Sequence, residues 1–264
     1  MAQHRHPQGG RVVLVGAGPG DPELITRKGL RWLRSADVVV YDRLVSPDLL
    51  KEAAPAAELI DAGKAPGRHG ITQDDIHAVL IARARRGLTV VRLKGGDPTI
   101  FGRAGEELEA LRAAGIPVEI VPGVTAATAA AASGGFALTH RDHAGAVVLA
   151  TGHEARGRER PTAEWRALGQ VTGTLVFYMP VQRLVSLVEV LLEGGRPGDE
   201  PALLVQAASL PRERRLFAPL ADLTARARDL ELHAPALLVI GAAVAASPEW
   251  TAGDAAPSAA RAGR

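Results

Sequence analysis

Three short runs in this chain combine glycine with proline or a carboxylate in a way that suits contact between main chain and ligand. They are Gly16-Ala17-Gly18-Pro19-Gly20-Asp21-Pro22, then Gly95-Gly96-Asp97-Pro98-Thr99-Ile100-Phe101-Gly102-Arg103, and Pro122-Gly123-Val124-Thr125-Ala126. Glycine admits positive φ and lets a backbone come close to a bound molecule. Taken singly, such a loop is equally a tight turn that packs a strand on a helix. A dinucleotide fingerprint would place a third glycine where Asp21 stands, and a carboxylate there would repel a pyrophosphate. The first loop therefore suits an adenosyl or other phosphate-free ligand. In the second, Gly95 and Gly96 open the main chain, and Asp97 either accepts hydrogen bonds from an amine or ribose hydroxyl or caps its own Asp-Pro turn.

Other groups could do chemistry beside these loops. Asp42, in Tyr41-Asp42-Arg43-Leu44-Val45-Ser46, could bind a ribose or act as a base, and spacing does not choose between them. Arg43, Arg103 and Glu106 lie in or after the same loops, where guanidinium groups could clamp an anionic substrate or form solvated ion pairs. The pair His140-x-x-His143 has a ligand-like spacing but only Asp142 beside it, so no metal is expected. No Walker A lysine and no G-x-S-x-G elbow follows the glycines, which argues against phosphoryl transfer and an α/β-hydrolase.

Composition narrows the classes further. The chain has no cysteine, which excludes disulfides, thiolate metal sites and a cysteine nucleophile. Its formal charge of +2 is accounted for by Arg5 and Arg11, which precede any acidic residue. The basic residues are dispersed, so no nucleic-acid partner is expected. The 264 residues, 47% of them hydrophobic, suffice for two ordinary domains.

The elements that must position these loops alternate. Strands are expected at Val12 to Val15, Val38 to Tyr41, Glu58 to Asp61, Thr89 to Leu93 and Val118 to Val121. Helices are expected at Glu23 to Arg34, Gln73 to Arg86 (capped by Thr72 with Asp75 three residues on) and Ala104 to Ala114. This βαβ rhythm implies a mostly parallel sheet with ligands beyond the carboxyl ends of its strands, where the three glycine loops would converge. After a small-residue helix, Thr125 to Ala132, the Gly134-Gly135 pair suits a domain boundary. The second half has strands at Ala146 to Thr151, Thr174 to Tyr178, Ala202 to Val205, Arg215 to Ala218 and Leu237 to Ile240, with helices near Gln182 to Glu193 and Ala221 to Asp229. Its less regular order predicts a mixed sheet.

The expected organisation is α/β: a disordered extension at 1–10, an N-terminal domain at 11–132, a C-terminal domain at 133–246 and a disordered tail at 247–264. No apolar leader opens the chain, and the run Ala234 to Ala246 is broken by Pro235 and Gly241, so no membrane partner and a cytoplasmic location are expected.

Read together, VGAGPGDPELIT, ADVVVYDRLVSP, VVRLKGGDPTIFGRAGEE, GIPVEIVPGVTAA, LTHRDHA and TLVFYMP resemble the tetrapyrrole methylase family from about Val12 to Val244. The resemblance implies two α/β domains with the cofactor folded between them, and a homodimer. It implies an S-adenosylmethionine-dependent C-methyltransferase that releases S-adenosylhomocysteine and uses no metal. YDRLVS and GGDPTIFGRAGEE point to members that methylate uroporphyrinogen III twice to give precorrin-2, for siroheme or cobalamin biosynthesis. A methyltransferase of a later corrin intermediate is the nearer alternative. A dinucleotide-dependent oxidoreductase or a nucleotide-binding module is the further one.

By the same resemblance, cofactor contacts fall on Pro19, Gly95, Gly96, Asp97, Ile100, Thr125, Ala126, Met179 and Ala208. The base and acid fall on Asp42 and Lys64, and substrate groups on Arg43, Arg103, Glu106 and Arg141. The chain departs from the family at Gln206-Ala207-Ala208-Ser209, where Asn-Gly is usual, so that a methyl group at Ala208 would crowd the adenosyl moiety or strain a positive-φ turn. Ala104 in place of Gly and Thr72 in place of Pro are milder differences of loop shape.

Overall fold

A computed structural model describes residues 9–63, 72–152, 162–228 and 233–250. The chain divides into two compact units, Met1–Ala126 and Ala127–Arg264.

The first unit is a five-stranded sheet in the order β3-β2-β4-β1-β5, with β1 Arg11–Gly16, β2 Val38–Tyr41, β3 Glu58–Asp61, β4 Thr89–Lys94 and β5 Val118–Val121. Every pairing is parallel. Alternation along β1 sends Val12 and Leu14 to one face and Val13 and Val15 to the other. The first pair packs with Ile76, Leu80, Ala84 and Leu111, from helices α3 (Gln73–Arg85) and α4 (Ala104–Ala113). The second packs with Trp32, Leu33 and Leu49, from α1 (Arg27–Arg34) and the short α2 (Pro47–Leu50). Burial on both faces explains why β1 and β2 read as near-continuous apolar runs.

The starts of α1, α2 and α3 follow side-chain capping. Thr72 and Asp75 form the expected capping box on α3, so threonine at this position starts the helix by accepting from the Asp75 N–H at 3.1 Å. The helix expected from Glu23 begins later. Asp21 caps a single 3-10 turn at Pro22–Leu24, and Thr26 then caps α1 by accepting from the Gly29 N–H at 3.0 Å.

The second unit holds α5 (Ala126–Ser133), β6 (Val147–Thr151), α6 (Thr162–Leu168), β7 (Thr174–Tyr178), α7 (Leu184–Glu193), β8 (Pro201–Gln206), β9 (Arg214–Pro219), α8 (Leu220–Arg228) and β10 (Ala236–Ile240). Its sheet, β6-β7-β10-β8-β9, is mixed: β6 and β7 are parallel, and the other neighbours antiparallel. Its core joins Leu175, Phe177, Leu204 and Leu238 to Leu187 and Leu191 of α7. Helix α6, which the sequence reading missed, adds the buried Trp165.

Helix α5 groups with this unit, ahead of the Gly134-Gly135 pair where a boundary is expected. Its end is tied there, because Arg215 donates to the Ser133 carbonyl and Ser247 Oγ to the Gly134 carbonyl at 2.6 Å. Ser247 itself is buried, and the described chain continues to Trp250. The segments at 1–8 and 251–264 lie outside the described residues.

Candidate active site

The strand order dictates where the glycine loops meet. From β1 the chain leaves toward β2, and from β4 it leaves in the opposite direction toward β5, yet β1 and β4 are neighbours. The two connections pass each other on opposite faces of the sheet, so the loops that begin them meet at the carboxyl ends of that pair. There the Ala17 N–H donates to the Lys94 carbonyl at 2.8 Å, and Gly18 and Gly96 exchange hydrogen bonds of 3.2 and 2.6 Å. The third loop closes on them: a Cβ on Gly123 would lie 2.3 Å from the Gly96 carbonyl oxygen, and one on Gly16 would lie 2.6 Å from Gly123. These two glycines are required by main-chain approach. Gly96 is different, being left-handed at φ +69° with nothing within 4 Å of where a side chain would begin.

Asp97 is buried and fully engaged. Its Oδ1 accepts from the N–H and hydroxyl of Thr99 at 2.7 and 2.5 Å, and its Oδ2 accepts from the Gly123 N–H at 2.9 Å. The turn-capping alternative for Asp97 is thus realised, with a link to the third loop added. Pro19, Gly95, Ile100, Thr125 and Ala126 are partly exposed in the same three loops.

Beside these loops lies a recess of about 260 Å³, lined by Asp42, Leu44, Gln73, Arg92, Lys94 and Phe101, among others. Arg92 and Lys94 alternate along β4, so they share a face, and both are buried, as is Glu107 on α4. Arg92 donates from Nη2 to Asp42 Oδ1 and from Nε to Glu107 Oε1 at 3.0 Å. Lys94 Nζ reaches the same Glu107 oxygen at 2.8 Å. Burial, and then the positive charge of Arg92, push the Lys94 ammonium below its ordinary pKa, with Glu107 and Asp42 opposing the shift. The Asp42 side chain is 31% exposed, which makes it an accessible carboxylate gripped by a buried cation.

The sequence reading missed Arg92, Lys94 and Glu107. Their signal was a pair of charges at period two inside a buried parallel strand, and a glutamate in the Ala104-Leu111 stripe that α4 turns to the core.

Of the proposed substrate groups, Arg43 is exposed next to Asp42. Arg103 forms a two-pronged pair with Glu106 at 2.8 and 2.6 Å, which holds the Glu106 carboxyl below its usual range. Arg141 is exposed on the second unit, in the turn closed by the His140–Ala144 bridge. The His140 and His143 rings stack 4.5 Å apart. Lys64 lies outside the described residues.

Among the described residues, the non-glycine residues with left-handed backbone are Phe101, Arg103, Met179, Ala207 and Ser209, all in loops that follow strands. Strain of this kind gathers at functional loops. Met179, at φ +54°, is 46% exposed directly after β7. At the unusual Gln206-Ala207-Ala208-Ser209 turn the positive φ falls on Ala207 and Ser209, on either side of Ala208.

Known proteins bear on this arrangement. The chain is 46% identical over 235 residues to a uroporphyrinogen-III C-methyltransferase of Synechocystis sp., covering 89% of each sequence. It is 46% identical over 241 residues to a chloroplastic S-adenosyl-L-methionine-dependent uroporphyrinogen III methyltransferase of Arabidopsis thaliana, covering 91% of this chain and 65% of that one. It also matches siroheme synthases, among them that of Tolumonas auensis at 46% identity, and spans about half of their length. Among solved structures, uroporphyrin-III C-methyltransferase of Thermus thermophilus complexed with S-adenyl homocysteine superposes with a TM-score of 0.75 at 43% identity, over 89% of this chain and 93% of that one. A cobalt precorrin-4 methyltransferase superposes with a TM-score of 0.79 at 32% identity, over 89% of this chain and 95% of that one. Residues 11–224 match the family described as Tetrapyrrole (Corrin/Porphyrin) Methylases, and with its three crossing glycine loops at a sheet switch point the chain belongs to that family.

Proposed function

We propose that this chain is an S-adenosylmethionine-dependent C-methyltransferase that converts uroporphyrinogen III into precorrin-2 by two successive methylations, for siroheme or cobalamin biosynthesis. The observation that carries the reading is the juxtaposition at the β1/β4 switch point of a main-chain cradle with an accessible carboxylate, Asp42, gripped by buried Arg92. The substrate comes from the relatives of 42 to 46% identity named for this methylation, against 32% for the methyltransferase of a later corrin intermediate.

The loops fit the cofactor. Gly96 leaves open room above the second loop, and Asp21, which would repel a pyrophosphate, is compatible with a sulfonium nucleoside. Pro19, Gly95, Gly96, Asp97, Ile100, Thr125 and Ala126 would hold it on the first unit, and Met179 and Ala208 carry the same proposal on the second. When bound, S-adenosylmethionine supplies an activated methyl group and leaves as S-adenosylhomocysteine.

The protein's work is positioning and proton transfer. Arg43, Arg103 and Arg141 are the groups assigned by the resemblance to carboxylates of a polyanionic macrocycle, with Arg103 exchanging Glu106 for substrate. Leu44 and Phe101, half exposed at the recess, offer apolar contact to its ring. Asp42 then accepts the proton lost from the methylated ring, and Lys64 is the proposed acid. No step in this scheme calls on a metal. A homodimer in the cytoplasm belongs to the same proposal, on the resemblance alone; no helix among the described residues is long and apolar enough to cross a membrane.

Anaerobic incubation with uroporphyrinogen III and S-adenosylmethionine should yield a product heavier by two methyl groups. An unchanged mass with authentic reduced substrate overturns the reading. Titration with S-adenosylhomocysteine against NAD and NADP separates it from a dinucleotide-binding protein.

A further inference from the structure

Glu107 is fully buried on α4 and lies outside the residues so far assigned to the chemistry. Its Oε1 accepts from Arg92 Nε at 3.0 Å, from Lys94 Nζ at 2.8 Å and from Gln73 Nε2 at 3.4 Å. Its Oε2 is buried with no hydrogen-bond partner among the described residues. A carboxylate retained only to neutralise two cations in a core would be expected to share them between both oxygens, since buried polar atoms are nearly always satisfied. Here the donors crowd onto the oxygen that faces β4.

The consequence lies at the other end of the guanidinium. Arg92 holds Glu107 by its Nε edge and Asp42 by Nη2, and Nη1 faces the carbonyls of Val40 and Leu93 at 3.4 and 3.5 Å. A planar guanidinium anchored on one edge has little freedom on the other. We propose that Glu107 is a positioning residue for the methyl-transfer site: through Arg92 it fixes the carboxylate of Asp42, and through direct contact it holds the Lys94 side chain at the floor of the recess. This rests on the reading of Asp42 as proton acceptor.

Charged groups around Lys94 are Arg92 on its own strand, Glu107 and Glu106 on α4, and Asp42 after β2; His77 on α3 acts on Glu106 and contacts Gln73 at 3.2 Å. Glu107 and Asp42 favour the ammonium. Replacing Glu107 by the nearly isosteric glutamine therefore removes an anion from a site that burial already biases toward the neutral amine.

The chain has four lysines, Lys28, Lys51, Lys64 and Lys94, so ε-13C-lysine labelling gives a countable spectrum in which the Lys94 signal is the one lost in Lys94→Arg. For Glu107→Gln, the expected result is a Lys94 titration displaced to lower pH by about one unit or more and a kcat reduced roughly 10- to 100-fold. The S-adenosylhomocysteine Kd should change less than twofold, and Glu107→Asp should restore part of the kcat. An unmoved Lys94 titration overturns the proposal, and so does a kcat within twofold of wild type. A loss of activity that only follows the folded fraction by circular dichroism overturns it as well. Should Glu107→Gln fail to fold, Arg92→Lys, which keeps the charge but cannot bridge both carboxylates, must lower kcat at unchanged cofactor affinity for the proposal to stand. The lysine titration and the cofactor titration need no macrocycle, so an inactive wild type would overturn the assigned substrate while leaving these measurements interpretable.

Discussion

Asp97 Oδ2 accepts a hydrogen bond from the Gly123 N–H at 2.9 Å while its Oδ1 is saturated by Thr99. One side chain thus joins the loop after β4 to the loop after β5. Asp97→Asn must present an amide N–H to one of these donors, leaving it unpaired. A loss of about 1–3 kcal/mol in folding stability is expected, read from urea denaturation, together with weaker S-adenosylhomocysteine binding in calorimetry.

Asp42 lines the recess, and the glycine loops lie to one side of it. Asp42→Asn keeps the shape and removes the proposed base. Turnover should fall roughly 10²- to 10⁴-fold with S-adenosylhomocysteine affinity within twofold of wild type. Equal losses in both would identify Asp42 as a ribose ligand.

The Gln206 to Ser209 turn places left-handed backbone on Ser209 and on Ala207, which is buried. A β-branched side chain tolerates that backbone poorly. Ala207→Val should destabilise the protein by about 2 kcal/mol or more, whereas Ala208→Gly should stay within about 1 kcal/mol. Thermal unfolding of the two variants side by side checks the assignment.

Lys94 gives stability a definite dependence on pH. Unfolded, it keeps its proton up to the ordinary lysine value near 10.5, and folded, it releases the proton at a lower pH. Between those two values the unfolded state binds more protons, so this group's contribution to stability rises as pH rises through that window. Lys94→Met should remove that slope, and the stability gap between variant and wild type should move in favour of wild type from pH 7 to 10.

The glycine loops and the strands of the first sheet were readable because each is a local pattern: β-branched runs, threonine caps, and glycines directly after strands. The mixed second sheet followed from the irregular order of its elements. What escaped is instructive. Arg92, Lys94 and Glu107 look like ordinary charges in a linear reading, and only the packing of α4 on the face of the central strand β4 turns them into buried ions. The strain expected on Ala208 belongs to Ala207 and Ser209 because a turn distributes φ over neighbouring residues in a way that composition does not specify. Helix α6 was missed because seven residues carry too short an apolar period to stand out.

The insertion of β4 between β1 and β2 also sets an order of events. These first two strands never pair with each other, so a nascent chain that has reached Asp61 can form the β2–β3 ladder but leaves β1 without a neighbour until Thr89–Lys94 emerges. Such non-local closure slows folding and exposes unpaired edges meanwhile. The cradle and its buried ions are therefore among the last features of the first unit to form, and a ligand for these loops would be met only by a chain that has already completed its central strand.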